Sequence, residues 1–310
     1  MTFLNQTVQM KKSRFLLLGG LFLLTITSYS QDYAFKVLAN KGANEYKSGS
    51  DGWQPIKTGA SLKSGDELKV SENAYLGLVS VNGKPLELKQ AGPYKVADLA
   101  AKVGGTTSVL NKYTDFILSS NSAEAKKNRL SATGGITRGD NKLNVFLPQP
   151  QNASIFGKEM VVEWEAPAAG GPYIVTVKNI FDEELVKIET PETLVRLNLN
   201  DPKLANESAI MLEVSSKAIS GIKSDAKVIK KLSPADFEKI KKSYAEISGE
   251  VTTDSGFSRF LQAGFYEQHG LLIDALTSYE DAIKLSPDVD DFKLARDEFL
   301  YRNKFKKIKN

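Results

Sequence analysis

The stretch at 263–288, AGFYEQHGLLIDALTSYEDAIKLSPD, decides the fold of the C-terminal part of the chain. Its apolar and small residues recur at helical spacing on both sides of Gly270, where the chain must turn. The second half places these residues on one stripe: Leu272, Ala275, Leu276, Tyr279, Ala282 and Ile283. Small residues let two helices approach closely, and aromatic rings fill the groove beside them. The stretch therefore predicts a helical hairpin.

The segments on either side of this hairpin also have helical patterns. Residues 234–248 follow Ser233, a typical helix cap, and begin with Pro234, a typical first-turn residue. The spacing there predicts four buried side chains: Phe237, Ile240, Tyr244 and Ile247. A lone hairpin cannot bury both of its faces. We therefore expect helices at 234–248 and 288–305 to cover it in a compact four-helix bundle; the alternative is an open edge that binds a partner.

The hairpin resembles a tetratricopeptide repeat at eight positions: Ala263, Tyr266, Gly270, Leu272, Ala275, Tyr279, Ala282 and Pro287. The sequence contains one clear copy, because the neighbouring helices lack the small-residue pattern. The resemblance implies a protein-docking role, and the candidate docking residues are Tyr266, His269 and Tyr279. His269 lies in the inter-helix turn, where a solvated turn residue is the alternative interpretation.

The N-terminus has the three parts of a secretory signal. Lys11, Lys12 and Arg14 precede the apolar run FLLLGGLFLLTIT, and SYSQ follows it. We expect cleavage near Ser30, which leaves residues 31–310 as the mature chain; the alternative is an uncleaved anchor. No later stretch is apolar enough to span a membrane. The pattern predicts an exported protein that is periplasmic or associated with the outer membrane.

Residue counts restrict the possible chemistry. The chain has no cysteine and one histidine, so disulfide frameworks, thiolate catalysis, cysteine-ligated zinc and histidine relays are not expected. We assign no catalytic residue, cofactor or metal. The signal carries three of the 41 Lys and Arg and none of the 37 Asp and Glu, so 38 basic residues face 37 acidic ones after processing. This balance gives no reason to expect a nucleic-acid partner.

Residues 31–100 have short strand patterns with regular turns. Asn82-Gly83 lies between alternating apolar runs and predicts a β-hairpin. Gly59, Gly65 and Gly92 mark further turns. Several short strands with little helix predict a small barrel or sandwich.

This region resembles the FecR-like domain through a tryptophan, a G-x-x-L-x-x-G-D step and a strand that ends in a turn. The residues that carry the resemblance are Trp53, Pro55, Gly59, Leu62, Gly65, Asp66, Leu68, Tyr75, Leu76, Leu78, Asn82 and Gly83. It implies a non-catalytic interaction module of the periplasm or cell surface. The family's signalling role through a membrane-spanning segment does not carry over, because none follows the signal peptide. Trp53 is a candidate glycan platform; the alternative is a core tryptophan.

Residues 101–143 read as a helical connector and linker. Apolar residues recur at helical spacing on one face: Val109, Leu110, Tyr113, Phe116 and Ile117. We expect this helix to pack against a neighbouring domain. The polar segment after it contains Arg138-Gly139-Asp140, which we interpret as a chance tripeptide rather than an integrin ligand.

Residues 144–231 return to strand patterns. Val162 and Trp164 alternate on one predicted strand, and Tyr173, Val175 and Val177 alternate on the next. Turn signals every 8–12 residues are typical of a sandwich. The strand-borne tryptophan and the later PYIVTV resemble immunoglobulin-like and fibronectin type III-like domains.

Two acidic clusters are candidate metal sites: Asp182, Glu183 and Glu184 in one, and Asp288, Asp290 and Asp291 in the other. We interpret the first as a solvated hairpin turn, because no second group of ligands is visible. The second follows Ser286-Pro287, which we interpret as a helix cap and first-turn proline; acids there stabilise a helix N-terminus.

The predicted fold class is thus multidomain β plus α: a small β barrel or sandwich at 31–100, a second β-sandwich at 144–231 and a tetratricopeptide-like helical domain at 232–310. With its signal peptide, the combination resembles envelope proteins of Bacteroidetes-type bacteria. We expect a non-catalytic scaffold or interaction protein, with envelope proteins as partners, such as those of an outer-membrane transport or secretion complex. One alternative is a peptidoglycan- or glycan-binding protein; another is a hydrolase that uses two carboxylates.

Overall fold

A computed structural model describes residues 33–122, 127, 142–165, 170–251 and 254–306. These residues belong to one compact unit, Tyr33–Asn310. The predicted signal peptide, Arg138-Gly139-Asp140 and most of the predicted linker lie outside the described residues. In the described part, several antiparallel sheets are followed by helices, so the predicted mixture of β-structure and α-helix is confirmed.

The first β module contains eight strands in two four-stranded sheets. Their bounds are β1 Phe35–Lys41, β2 Glu45–Ser48, β3 Gln54–Pro55, β4 Ser61–Leu62, β5 Asp66–Val70, β6 Tyr75–Ser80, β7 Pro85–Leu88 and β8 Gly92–Lys95. The sheet orders are β4-β1-β6-β7 and β3-β2-β5-β8. Residues from both sheets share one core, which includes Phe35, Leu68 and Leu78. The predicted Asn82-Gly83 hairpin is confirmed, since it joins antiparallel β6 and β7 and Gly83 has φ +77°.

Two helices follow, α1 at Val96–Lys102 and α2 at Leu110–Ser120. Helix α2 buries Leu110, Tyr113 and Ile117, as its apolar spacing predicts. Its partner is the C-terminal helical region, where a Cβ added to Gly264 would lie 2.6 Å from the Ile117 Cδ1 atom. The glycine therefore allows close contact between the helices, and the expected packing of this helix against another part of the chain is confirmed.

The second β module has a five-stranded and a two-stranded sheet. Its elements are a 3-10 turn at Pro150–Asn152, β9 Ser154–Ile155, β10 Glu159–Glu163, β11 Tyr173–Lys178, β12 Glu184–Thr190, β13 Leu194–Asn198, α3 Pro202–Ala205, β14 Ala209–Ser216 and β15 Lys227–Lys231. The orders are β12-β11-β14-β15-β9 and β10-β13. Strand β9 runs parallel to β15, and the other strand pairs of these sheets are antiparallel. The predicted alternation is confirmed: Trp164, Tyr173, Val175 and Val177 are buried in one core.

The helical module comprises α4 Pro234–Ser248, α5 Gly256–Gln268, α6 Leu272–Leu285 and α7 Asp290–Arg302. The predicted hairpin is confirmed as α5 and α6, joined by a turn in which Gly270 has φ +73°. The predicted cap of α4 is also confirmed, since the Ser233 hydroxyl accepts a hydrogen bond from the Asp236 N–H. Leu271 and Ala275 lie in the same core as residues of α4 and α7.

Two local predictions for this module are wrong. Ser286 does not cap the last helix: its N–H bonds the Ala282 carbonyl and ends α6, and α7 begins four residues later. Phe237 is 38% exposed and Tyr244 is half-buried, whereas Ile240 and Ile247 are buried as predicted; both rings contact the Phe156 ring near the surface.

One core joins the helical module to other parts of the chain. It includes Leu38 and Tyr75 from the first β module, Ile117 from α2 and many residues of α4 to α7. Ile273 of α6 lies instead in the core of the second β module. The helices are therefore packed between the two β modules, and both depend on them for burial.

Candidate functional site

Tyr279, one of the three predicted docking residues, is fully buried. Its hydroxyl lies 3.3 Å from the Glu267 carboxylate and 3.4 Å from the Arg302 guanidinium. Burial raises the pKa of Tyr279 far above its ordinary range. No partner can reach this side chain while α5, α6 and α7 stay packed, so Tyr279 is a core residue of the helical module.

The other two predicted docking residues face different parts of the chain. Tyr266 is half-buried and stacks on Tyr244, with ring centroids 6.0 Å apart and an interplanar angle of 8°. His269 packs its ring against Tyr113 of α2, and its Nδ1 lies 2.9 Å from the Phe265 carbonyl oxygen. That carbonyl can only accept, so the geometry suits an Nδ1–H donor. The three residues do not form one surface, and a docking role for Tyr266 or His269 stays a prediction.

Trp53 lies at the surface of the first β module and is 42% exposed. The alternative that it is a core residue is therefore wrong. The Lys47 ammonium lies 5.5 Å from the centre of the tryptophan ring, a distance at which a cation is attracted to the ring face. The glycan platform stays a prediction, with one ring accessible to a ligand.

Polar side chains of helix α6 form hydrogen bonds with the second β module. The Asp274 carboxylate accepts backbone N–H groups of Phe156 at 3.0 Å and Gly157 at 2.6 Å. The Thr277 hydroxyl oxygen accepts the Val161 N–H of strand β10 at 3.0 Å. Buried N–H groups at a strand edge need such acceptors. Burial raises the pKa of Asp274 to about 6, although the two N–H groups act in the opposite direction.

Residues of α5 and α7 contact the first β module. A Cβ added to Gly77 of β6 would lie 2.8 Å from the Phe257 ring of α5, so only glycine permits this contact. At the start of α7, the Asp291 carboxylate accepts the Asn40 N–H and the Thr58 hydroxyl, each at 2.7 Å. Both helices of the predicted hairpin, α5 and α6, thus contact the chain's own β modules.

Asp288 and Asp291, two of the acidic residues at 288–291, contact the first β module. Asp290 and Asp291 lie in the first turn of α7, as predicted, and Asp288 pairs with Lys41 of β1. Within the described residues, no group of three or more His, Cys, Asp or Glu side chains is arranged to hold a metal ion.

Glu163 and Glu280 are largely buried carboxylates that meet at one guanidinium. Both contact the Arg296 guanidinium, Glu280 at 2.7 Å. Burial raises the pKa of Glu163, and Arg296 partly offsets this. Two carboxylates joined by one guanidinium do not face each other across an open cleft, which hydrolysis by a carboxylate pair requires. The geometry indicates a structural ion-pair network.

An aromatic pocket opens where the helical module meets the second β module. Its volume is about 280 Å³, and its lining includes Phe156, Lys158, Leu199, Lys231, Leu232 and Phe237. The Phe156 and Phe237 rings lie 4.9 Å apart, and Phe156 also contacts Tyr244 and Tyr266. The Lys231 ammonium bonds the Leu204 and Ala205 carbonyls at 3.0 and 2.6 Å. The pocket combines aromatic walls with a basic rim.

The hairpin tip, residues 179–184, consists of the turn between β11 and β12 and the first residue of β12, and it presents two apolar side chains to solvent. Ile180 is 56% exposed and Phe181 is 78% exposed. Buried Asn179 holds the turn: its Oδ1 accepts the Phe181 N–H at 2.9 Å and the Glu183 N–H at 3.1 Å. Asp182 has φ +69° and pairs with Lys178 at 2.8 Å. The predicted hairpin turn is confirmed, and it is built around an exposed apolar pair.

Sequence reasoning missed both the aromatic pocket and the role of this tip. The cluster at 182–184 predicts a solvated hairpin turn, yet Ile180 and Phe181 just before it are adjacent apolar residues at a position where turns are usually polar. That departure was a usable signal. The pocket had none, because its walls come from residues more than 80 positions apart, at 156 and 237.

No family model matches the sequence, and no curated protein matches it. In the described part of the chain, none of the helices combines the length and apolar character needed to cross a membrane.

Proposed function

We propose that this chain is a non-catalytic scaffold of the bacterial cell envelope, exported by its N-terminal signal and bound to other envelope proteins. One observation carries the proposal: the helical module contacts both β modules through specific buried groups, Phe257 against Gly77 on one side and Asp274 against Phe156 and Gly157 on the other. Such contacts hold two surface-bearing modules in a fixed arrangement. A fixed arrangement suits a part that positions partners.

The proposal includes the family resemblances. The first β module would be FecR-like and the second immunoglobulin-like, in which the five-stranded sheet and the β10-β13 pair share one core. The α5–α6 hairpin would be a single tetratricopeptide-like unit used inside the chain. Partners would belong to an outer-membrane transport or secretion assembly.

A second function, binding of peptidoglycan or another glycan, is favoured by the exposure of Trp53. An accessible tryptophan ring can stack on a sugar face, and Lys47 beside it can donate hydrogen bonds to sugar oxygens.

Purification of the tagged chain from its own cell envelope tests these functions. Three variants would be compared with the unaltered chain: Trp53→Ala, Leu294→Ser and Leu285→Ser, all at exposed positions where folding should be preserved. If the chain is a scaffold, an envelope protein should copurify with it in a stoichiometric amount, and it should copurify equally with the Trp53→Ala variant. Recovery of glycan alone, lost with Trp53→Ala, would support the second function instead. Recovery of neither would refute both. The mass of the purified chain reports whether cleavage occurs at Ser30.

A further inference from the structure

The hairpin tip is an exposed apolar turn with a fixed conformation, which suits insertion into a pocket. Phe181 is the most exposed of the large apolar side chains in the described residues, and its neighbour Ile180 is the next. The Asn179 side chain fixes the turn with three hydrogen bonds. Its Oδ1 accepts the N–H groups of Phe181 and Glu183, and its Nδ2 donates to the Glu183 carboxylate at 2.7 Å. A preorganised apolar tip loses little entropy when it is buried.

The tip is also acidic. Asp182, Glu183 and Glu184 follow the apolar pair, and Lys178, which pairs with Asp182, is the basic residue beside them. A surface that receives the tip should therefore offer apolar walls and a basic rim. An anionic membrane would repel these carboxylates.

The aromatic pocket on this same chain has those properties. Phe156, Phe237 and Leu199 supply apolar walls, and Lys158 and Lys231 are the charged residues among those that line it. Its volume of about 280 Å³ exceeds what one phenylalanine side chain needs. Aromatic rings prefer tilted or offset contacts, which a ring entering beside the Phe156–Phe237 pair can make.

Strand register places tip and pocket at the same end of the second β module. Lys178, at the base of the tip, lies opposite Met211 of β14, and β14 begins at this end with Ala209. Ala209 lies opposite Lys230, which lies opposite Ser154 of β9, just before Phe156. Strands β11 and β9 are three strand spacings apart in the sheet, or about 14 Å, and Phe181 is 78% exposed, so the tip does not fill the pocket of its own chain.

We propose that two copies of this chain associate around a two-fold axis, each inserting the Phe181 tip into the aromatic pocket of the other. A two-fold pair needs both complementary elements on one face, and their placement at one end of the module satisfies this requirement. The acidic residues of each tip meet Lys158 and Lys231 of the second copy. This association does not depend on whether another envelope protein binds.

Sedimentation equilibrium of the mature chain at concentrations up to about 100 μM tests the proposal. We expect a concentration-dependent dimer that Phe181→Ser weakens at least about tenfold, while Leu294→Ser, a change of another exposed apolar side chain elsewhere, leaves it intact. Lys158→Glu should weaken the dimer, and Lys158→Glu combined with Glu184→Lys should restore it in part. Circular dichroism of each variant checks that folding is retained.

A chain that stays monomeric at these concentrations would overturn the proposal. So would a dimer unaffected by Phe181→Ser, or open polymers in place of dimers. Binding of the monomer to vesicles of phosphatidylcholine and phosphatidylglycerol, lost with Phe181→Ser, would assign the tip to a membrane and equally overturn it.

Discussion

Replacing Asp274 by asparagine tests the contact that joins helix α6 to the second β module. The Asp274 side chain is buried beside Phe156 and Gly157, whose N–H groups it accepts. Desolvation raises the pKa of Asp274 to about 6, against about 3.9 for an aspartate in an unfolded chain. The folded chain therefore binds a proton at this carboxyl more readily than the unfolded chain does.

The sign of the pH dependence follows from that difference. Below about pH 4 the carboxyl is protonated in both states, and above about pH 6 it is ionised in both. Between these values the free energy of unfolding falls as pH rises, because ionisation of a buried carboxyl costs more than ionisation in water. A difference of about two pKa units changes the free energy of unfolding by about 3 kcal/mol over the whole titration. About 2 kcal/mol of this change occurs between about pH 4.5 and 7.5.

Urea unfolding of the unaltered chain and of Asp274→Asn at these two pH values measures the effect. Asparagine accepts one of the two N–H groups, and the lost hydrogen bond costs roughly 1 kcal/mol; because asparagine does not ionise, its own contribution to stability does not change with pH. Relative to this variant, the unaltered chain should gain about 2 kcal/mol when the pH is lowered to about 4.5. Other carboxylates titrate identically in both proteins and cancel. Asp290→Asn, an exposed first-turn aspartate of α7, is the matched control and should follow the unaltered chain.

A stability difference between Asp274→Asn and the unaltered chain that does not change with pH would refute the reasoning. It would mean that Asp274 is solvated in the folded chain and that the contact between α6 and the β9–β10 loop is open. A difference that grows in the opposite direction would mean that its two N–H donors outweigh desolvation, and that the pKa of Asp274 is lowered.

Gly77→Ala should destabilise the chain by about 1–3 kcal/mol in the same urea assay, since its Cβ would lie 2.8 Å from the buried Phe257 ring. Gly249→Ala, with open space around it and φ −64°, is the control and should cost nothing; equal stability of both variants would contradict the packing. Glu267→Ala should cost about 3–5 kcal/mol, because it leaves the Arg302 guanidinium in a largely buried site without its carboxylate. Replacing both, as Glu267→Leu with Arg302→Met, should recover most of this loss, and a double variant worse than the single one would exclude the explanation.

Local patterns predicted the elements well. The Asn82-Gly83 turn, the alternation around Trp164 and Tyr173, and the helical hairpin around Gly270 each depend on residues within about ten positions of one another. Such signals reflect backbone preferences and the burial of one face, both of which the sequence displays directly.

The packing partners of these elements could not be predicted in the same way. Tyr279 reads equally well as a groove residue or as core, and its burial depends on α7, which contributes Arg302. Gly77 reads as an ordinary strand residue until Phe257 is placed against it from 180 positions away. Contacts between distant segments leave no periodic mark in either segment, so the candidate site was predictable only where a residue broke its local rule, as Phe181 does.

The single helical hairpin is explained by what covers it. A helical hairpin has two faces to bury, and one that stands alone leaves a face uncovered. Here α4 and α7 flank the hairpin, α2 packs against Gly264, and polar groups of α6 satisfy the β10 edge through Thr277. Removing residues 233–310 would therefore uncover the cores of both β modules as well as deleting a surface. Loss of binding after that truncation would not distinguish a lost docking site from an unfolded protein. Single substitutions at exposed side chains are the experiments that can assign a partner to a surface of this chain.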